Sequence, residues 1–140
     1  MIVKNIHTYV SFDVGDLNKI ARQFLVEFPS PGIFAVTGEM GAGKTSFISA
    51  ICRQLEYDFQ GSPTFSLVNE YIETGKHDLL HFDLYRVKNI REAMDFGFEE
   101  YLERNAYVFI EWPEVVENLL PQKTIHVSIE LRDEDRMISF

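Results

Sequence analysis

The sequence predicts an α/β fold: one domain over residues 1–140, with a mixed, mostly parallel central sheet flanked by helices and closed by a C-terminal hairpin. Three observations predict it. Short apolar runs, IFAVT at 33–37 and AYVFIEW at 106–112, have the length and composition of strands buried on both faces. Stretches of helical periodicity separate the strand-like runs. A glycine-rich segment, GEMGAGKTS at 38–46, joins the first of those runs to a helical one.

Residues 2–12 read as a strand. Leu17, Ile20, Ala21, Phe24, Leu25 and Phe28 recur at i, i+3, i+4 spacing, which predicts an amphipathic helix, and Pro29, Pro31 and Gly32 close it. After the glycine segment, Phe47, Ile48, Ile51, Cys52 and Leu55 give a second helix. Residues 61–64 form a loop. Residues 65–72 and 79–85 flank Thr74, Gly75 and Lys76 as a hairpin. Residues 89–103 are helical with a break at Gly97, and the strand at 106–112 stops at Pro113, a residue suited to opening a helix through Leu120. TIHVSIEL and RMISF, on either side of residues 133–135, form the last hairpin.

Composition narrows the function. With 140 residues, 46% of them hydrophobic, the chain can bury one core, and no repeat or linker marks a second unit. No window approaches the roughly 20 apolar residues that cross a bilayer, and MIVKNIHTYVSFD lacks the order of a signal peptide. The expected location is therefore cytoplasmic. The lone cysteine, Cys52, reads as a small buried hydrophobe. A net charge of -9 opposes independent binding to nucleic acid, so any RNA should be held by a partner.

Gly38, Gly43, Lys44 and Thr45 satisfy G-x-x-x-x-G-K-[ST], the P-loop spacing. The glycines let backbone N–H groups turn inward around a phosphate, and the following helix aims its positive end at the same place. Glu39, Met40, Gly41, Ala42 and Ser46 complete the cradle. Lys44 would reach the β and γ phosphates, and the Thr45 hydroxyl would be a magnesium ligand. The expected ligand is a nucleoside triphosphate with Mg2+. A bland alternative is a glycine turn carrying a surface lysine.

A second acid near the magnesium should end a neighbouring apolar strand. Glu111 follows Tyr107, Val108, Phe109 and Ile110; Asp83 lies in HFDLYR, on the strand face of His81 and Tyr85. Each could instead be an ordinary strand-end acid paired with a base such as Arg86. His77, Asp78, His81 and Asp83 suggest zinc only weakly, since no cysteine joins them and histidines four apart share a side only on a helix.

Guanine recognition would need Asn-Lys-x-Asp, whereas Asn18-Lys19 precedes Ile20 and Ala21 in a helix before the loop. Residues 58–61 match D-x-x-G without a preceding strand. A small-molecule kinase would need a lid, for which little chain remains. A regulatory ATPase needs only the core and mobile loops, and a non-hydrolytic nucleotide-binding module is the other alternative.

GEMGAGKTS, SPTFSLVNEY, HFDLYR and IEWPE together resemble the signature segments of the bacterial tRNA threonylcarbamoyladenosine biosynthesis ATPase family (TsaE), in order and interval, from residue 33 to 140. The resemblance implies an ATPase acting with a threonylcarbamoyl transferase subunit and its non-catalytic paralogue to modify adenosine 37 of tRNA, with tRNA reached only through them. It would bind and slowly hydrolyse Mg-ATP while docked, and would not itself transfer threonylcarbamoyl. Slowness also follows from the lack of a nameable arginine finger, which is worth about 10³ to 10⁵ in rate. The resemblance makes Lys44 the phosphate lysine, Thr45 and Glu111 the magnesium contacts, and Asp83 a second acid near the γ phosphate and metal. It puts Thr64 on a loop able to sense the γ phosphate, Trp112 beside the site and Arg136 near the nucleotide. Two departures are Glu39, where aspartate is usual, and Asp135, where many members have glycine.

Overall fold

The computed structural model describes residues 6–11 and 13–140. In chain order the elements are β1 (Thr8–Ser11), α1 (Val14–Glu27), β2 (Ile33–Thr37), α2 (Lys44–Gln54), β3 (Val68–Tyr71) and β4 (Asp78–Asp83). There follow α3 (Ile90–Phe96), α4 (Phe98–Leu102), β5 (Ala106–Glu111), a 3₁₀ helix (Pro113–Leu119), β6 (Ile125–Arg132) and β7 (Asp135–Ser139). Of the strand expected at 2–12, positions 2–5 and 12 lie outside the described residues.

The strands form one sheet in the order β1-β7-β6-β2-β5-β4-β3. The central strands β6, β2, β5 and β4 are mutually parallel, whereas β1, β7 and β3 join by antiparallel pairing at the two sides. This is the mixed sheet with a C-terminal hairpin that the sequence predicts. Among the described residues no helix is long and apolar enough to cross a membrane.

Alternation along β2 and β5 divides the core between two faces. Phe34, Val36, Tyr107 and Phe109 pack on the side of α1 and α2; Ile33, Val108 and Ile110 pack with Ala93, Phe98 and Val116 on the other side. Phe24 of α1 anchors the first face, with ring centroids 5.0 Å from Phe34, 5.5 Å from Phe47 and 5.1 Å from Phe140. The first turn of α1 is capped by the Asp13 carboxylate, which accepts the Asp16 N–H at 2.8 Å. Pro29 stops it. Gly97, at φ 90°, separates α3 from α4 in a left-handed conformation that suits glycine.

Several boundaries differ from the sequence expectation. α2 begins at Lys44, so the lysine and threonine of the loop stand in its first turn. β3 begins at Val68; farther back Ser62 meets Thr45 of α2 at 3.2 Å, and the Asn69 amide donates to the Gly61 carbonyl at 3.0 Å. β4 ends at Asp83, whose side chain accepts the Tyr85 N–H at 3.1 Å and turns the chain. Pro113 opens a 3₁₀ helix.

Candidate functional site

The loop between β2 and α2 is shaped by two glycines where a larger residue would be crowded or strained. A Cβ on Gly38 would lie 2.6 Å from the backbone oxygen of Ile129 on β6. Gly43 combines φ 105° with Arg136 close behind it, where a Cβ would lie 2.6 Å from Nε. The Arg136 Nε–H donates to the Ala42 carbonyl at 3.0 Å, so β7 braces the loop from the rear. The first-turn amides of α2 are thereby left facing the concave side, where an anion is favoured.

Lys44 is 5% exposed. Its Nζ donates to the carbonyls of Gly38 at 2.5 Å and Glu39 at 3.0 Å, and it lies 3.9 Å from the Trp112 ring centroid. Burial holds its ammonium below the ordinary lysine range, while the carboxylates of Glu111, Glu114 and Asp83 push the other way. Trp112 reaches this position from a left-handed backbone, φ 56°, between the end of β5 and Pro113, and its ring lies 5.1 Å from that of Tyr85.

Thr45 and Glu111 meet although 66 residues separate them: the Thr45 hydroxyl lies 2.9 and 3.0 Å from the two carboxylate oxygens. Ser62 Oγ is 3.2 Å from the same hydroxyl. With the Thr45 hydrogen directed to Glu111, Ser62 is the donor in that second bond. Glu111 is 3% exposed and also lies 2.6 Å from His81 Nε2. Parallel pairing of β4 and β5 sets Asp83 in register with Glu111. Two acids thus end adjacent strands below the N-terminus of α2. These donors are hydroxyl and carboxylate oxygens, which suit a hard divalent cation such as magnesium, and the glycine cradle beside them leaves room for phosphate oxygens.

Lys44, Thr45, Ser62, Asp83, Glu111 and Arg136 line one cavity of about 390 Å³. A larger one, about 710 Å³, lies at the opposite strand ends around Ile33 and Ala106, so size alone does not select the site. Of the residues singled out from sequence, the loop, Asp83, Glu111, Trp112 and Arg136 come together. Thr64 does not enter that cavity: it is exposed and lines an adjoining groove of about 640 Å³ with Phe65 and Arg86. Ser62, Asp83 and Tyr85 border both spaces. Sequence reasoning missed the bond from Ser62 to Thr45 and the pairing of His81 with Glu111. The first has no signal in spacing; the second was signalled only by His81 sharing a strand face with Asp83.

Similarity to known proteins extends over most of the chain. A family model described as threonylcarbamoyl adenosine biosynthesis protein TsaE matches residues 12–138. A tRNA threonylcarbamoyladenosine biosynthesis protein TsaE from Rickettsia felis is 35% identical over 129 residues, covering 88% of this chain and 72% of that protein. A protein of the same name from Bacillus subtilis is 32% identical over 125 residues, covering 87% and 77%. The crystal structure of Bacillus subtilis YdiB superposes with a TM-score of 0.74 at 24% identity over 100% of this chain and 87% of that one, a likeness of fold.

Proposed function

The chain belongs to the TsaE family of threonylcarbamoyl adenosine biosynthesis proteins, and from that premise we propose that it is a single-domain P-loop ATPase serving tRNA N6-threonylcarbamoyladenosine formation. One observation carries the nucleotide reading: Thr45 and Glu111 share a hydrogen bond at the mouth of a loop in which a Cβ at Gly38 or Gly43 would lie 2.6 Å from a neighbouring atom. A bare glycine turn has no need of an acid buried to 3% exposure beneath it.

In this reading the loop amides and the first turn of α2 cradle the phosphates, and Lys44 exchanges its carbonyl partners for β and γ phosphate oxygens. Thr45 and Glu111 hold magnesium, directly or through water, with Asp83 as a second acid on the γ-phosphate side. A magnesium ion held by these residues would supply positive charge to the phosphate oxygens. Trp112 walls the site beside Lys44, and Arg136 keeps the loop in its binding shape. Thr64, in the adjoining groove, approaches the γ phosphate only if the loop at 61–67 moves inward, as a switch segment does.

The partners are a threonylcarbamoyl transferase subunit and its non-catalytic paralogue, and tRNA is held by them. The charge of -9 favours that division, because it leaves the basic RNA surface to others. Single-turnover cleavage of Mg-ATP, with and without the two partners, tests the proposal: free phosphate should form faster when they are present. Labelled product on a small acceptor would indicate a kinase instead, and no cleavage in either condition a non-hydrolytic module. The cellular counterpart is a fall in threonylcarbamoyladenosine in tRNA from cells depleted of the protein.

A further inference from the structure

We propose that His81 is the positioning residue for Glu111, holding its carboxylate in the orientation that meets Thr45. The inference rests on reading Glu111 as a magnesium contact. His81 lies on β4, is wholly buried, and brings Nε2 to 2.6 Å from Glu111 Oε2. Its ring is stacked on Phe59, with centroids 5.8 Å apart and planes at 28°, so it cannot swing freely. Glu111 is therefore held from two directions, by Thr45 on both oxygens and by His81 on one.

The other ring nitrogen of His81, Nδ1, is buried with no hydrogen-bond partner among the described residues. A hydrogen there would be an orphaned buried donor, and a carboxylate can only accept, so the arrangement selects the tautomer with its hydrogen on Nε2. That selection also argues against a packing role. Leu79 on the same face of β4, and Phe109 beside His81 in register, fill the core with no polar atom to satisfy. An imidazole that leaves one nitrogen unpaired is favoured here only through what the other nitrogen does. Partners that orient a metal-binding side chain typically change metal affinity by about 10- to 100-fold when removed.

The test is calorimetry of a non-hydrolysable ATP analogue, with Mg2+ and with EDTA, on the unaltered chain and on His81→Leu, His81→Gln and Glu111→Gln. His81→Leu should cut the gain in affinity due to Mg2+ by about tenfold or more and leave binding in EDTA almost unchanged. His81→Gln, which keeps an N–H at similar reach, should restore most of the gain. If Glu111→Gln loses the gain while His81→Leu retains it, the role of His81 is overturned and the reading of Glu111 stands. If Glu111→Gln retains it too, that reading falls and the proposal with it. Should His81→Leu fail to fold, the imidazole ¹⁵N shifts of the unaltered protein decide: hydrogen on Nε2 is expected, and hydrogen on Nδ1 overturns the proposal.

Discussion

The Lys44 ammonium lies 3.9 Å from the centroid of the Trp112 ring, so the cation of the glycine loop is sheltered by the residue that follows β5. The ammonium therefore waits beside a π face and two carbonyls, ready to be recruited by phosphate oxygens. Replacement by alanine should weaken ATP binding by about 1.5–3 kcal/mol, the worth of hydrogen bonds to a charged group. Calorimetry on Lys44→Ala checks it, with far-UV circular dichroism expected to report an unchanged fold. Undiminished binding would contradict the role given to this lysine.

Glu111→Ala should lose magnesium-dependent hydrolysis with much less effect on nucleotide binding in EDTA. It should also destabilise the protein, because the wholly buried His81 loses its acceptor and an unsatisfied buried group costs about 1–3 kcal/mol. Phosphate release measures the first effect and urea denaturation the second. Equal hydrolysis by variant and parent would count against the assignment.

Gly38→Ala and Gly41→Ala separate steric from conformational demand within one loop. At position 38 the added carbon meets the Ile129 carbonyl at 2.6 Å, and β6 cannot retreat because β2 and β7 pair with it on both sides. A loss of about 1–3 kcal/mol is expected, in the range of overpacking. At position 41 no described residue lies within 4 Å and only φ 80° opposes a side chain, so about 1–2 kcal/mol is the ceiling. Urea midpoints rank the two, and Gly38→Ala should be the less stable.

Burial pushes the Cys52 thiol from 9.0 up to about 12. A raised value means that the folded chain keeps a proton which the unfolded chain releases. Its stabilising contribution is complete below about pH 9 and is lost, at up to about 1.4 kcal/mol per pH unit, as the pH climbs toward 12. Tyr57, Tyr71 and Tyr107, also raised by burial, add to the decline above pH 10. Lys44, lowered by burial, opposes it as a single group. Denaturation midpoints between pH 8 and 10 should fall, and Cys52→Ala should flatten the slope. An equal slope in that variant would refute the assignment to Cys52.

Elements set by local chemistry were legible in the chain. The apolar run of β2, the break at Gly97 and the hairpin of β6 and β7 each follow from side-chain period or turn residues close in sequence. Phe65 shows where that reasoning stops. It reads as the first residue of a strand, yet it is fully exposed, because Ser62 and Gly61 are drawn toward α2 and Asn69 and pull the preceding segment out of the sheet. Pro113 likewise marks a helix start without distinguishing 3₁₀ from α. In the site, Lys44 and Thr45 are adjacent in a motif and were readable. The contact between His81 and Glu111 runs diagonally across two parallel strands, and the offset between such strands is settled by packing of the whole sheet.

Arg136 gives the loop an owner at the far end of the chain. Its guanidinium arrives from β7, which is flanked by β6 and β1, and rests against the backbone at Ala42 and Gly43. Removing the last strand would therefore slacken a grip built almost a hundred positions earlier, leaving every residue of the fingerprint intact and its curvature unsupported.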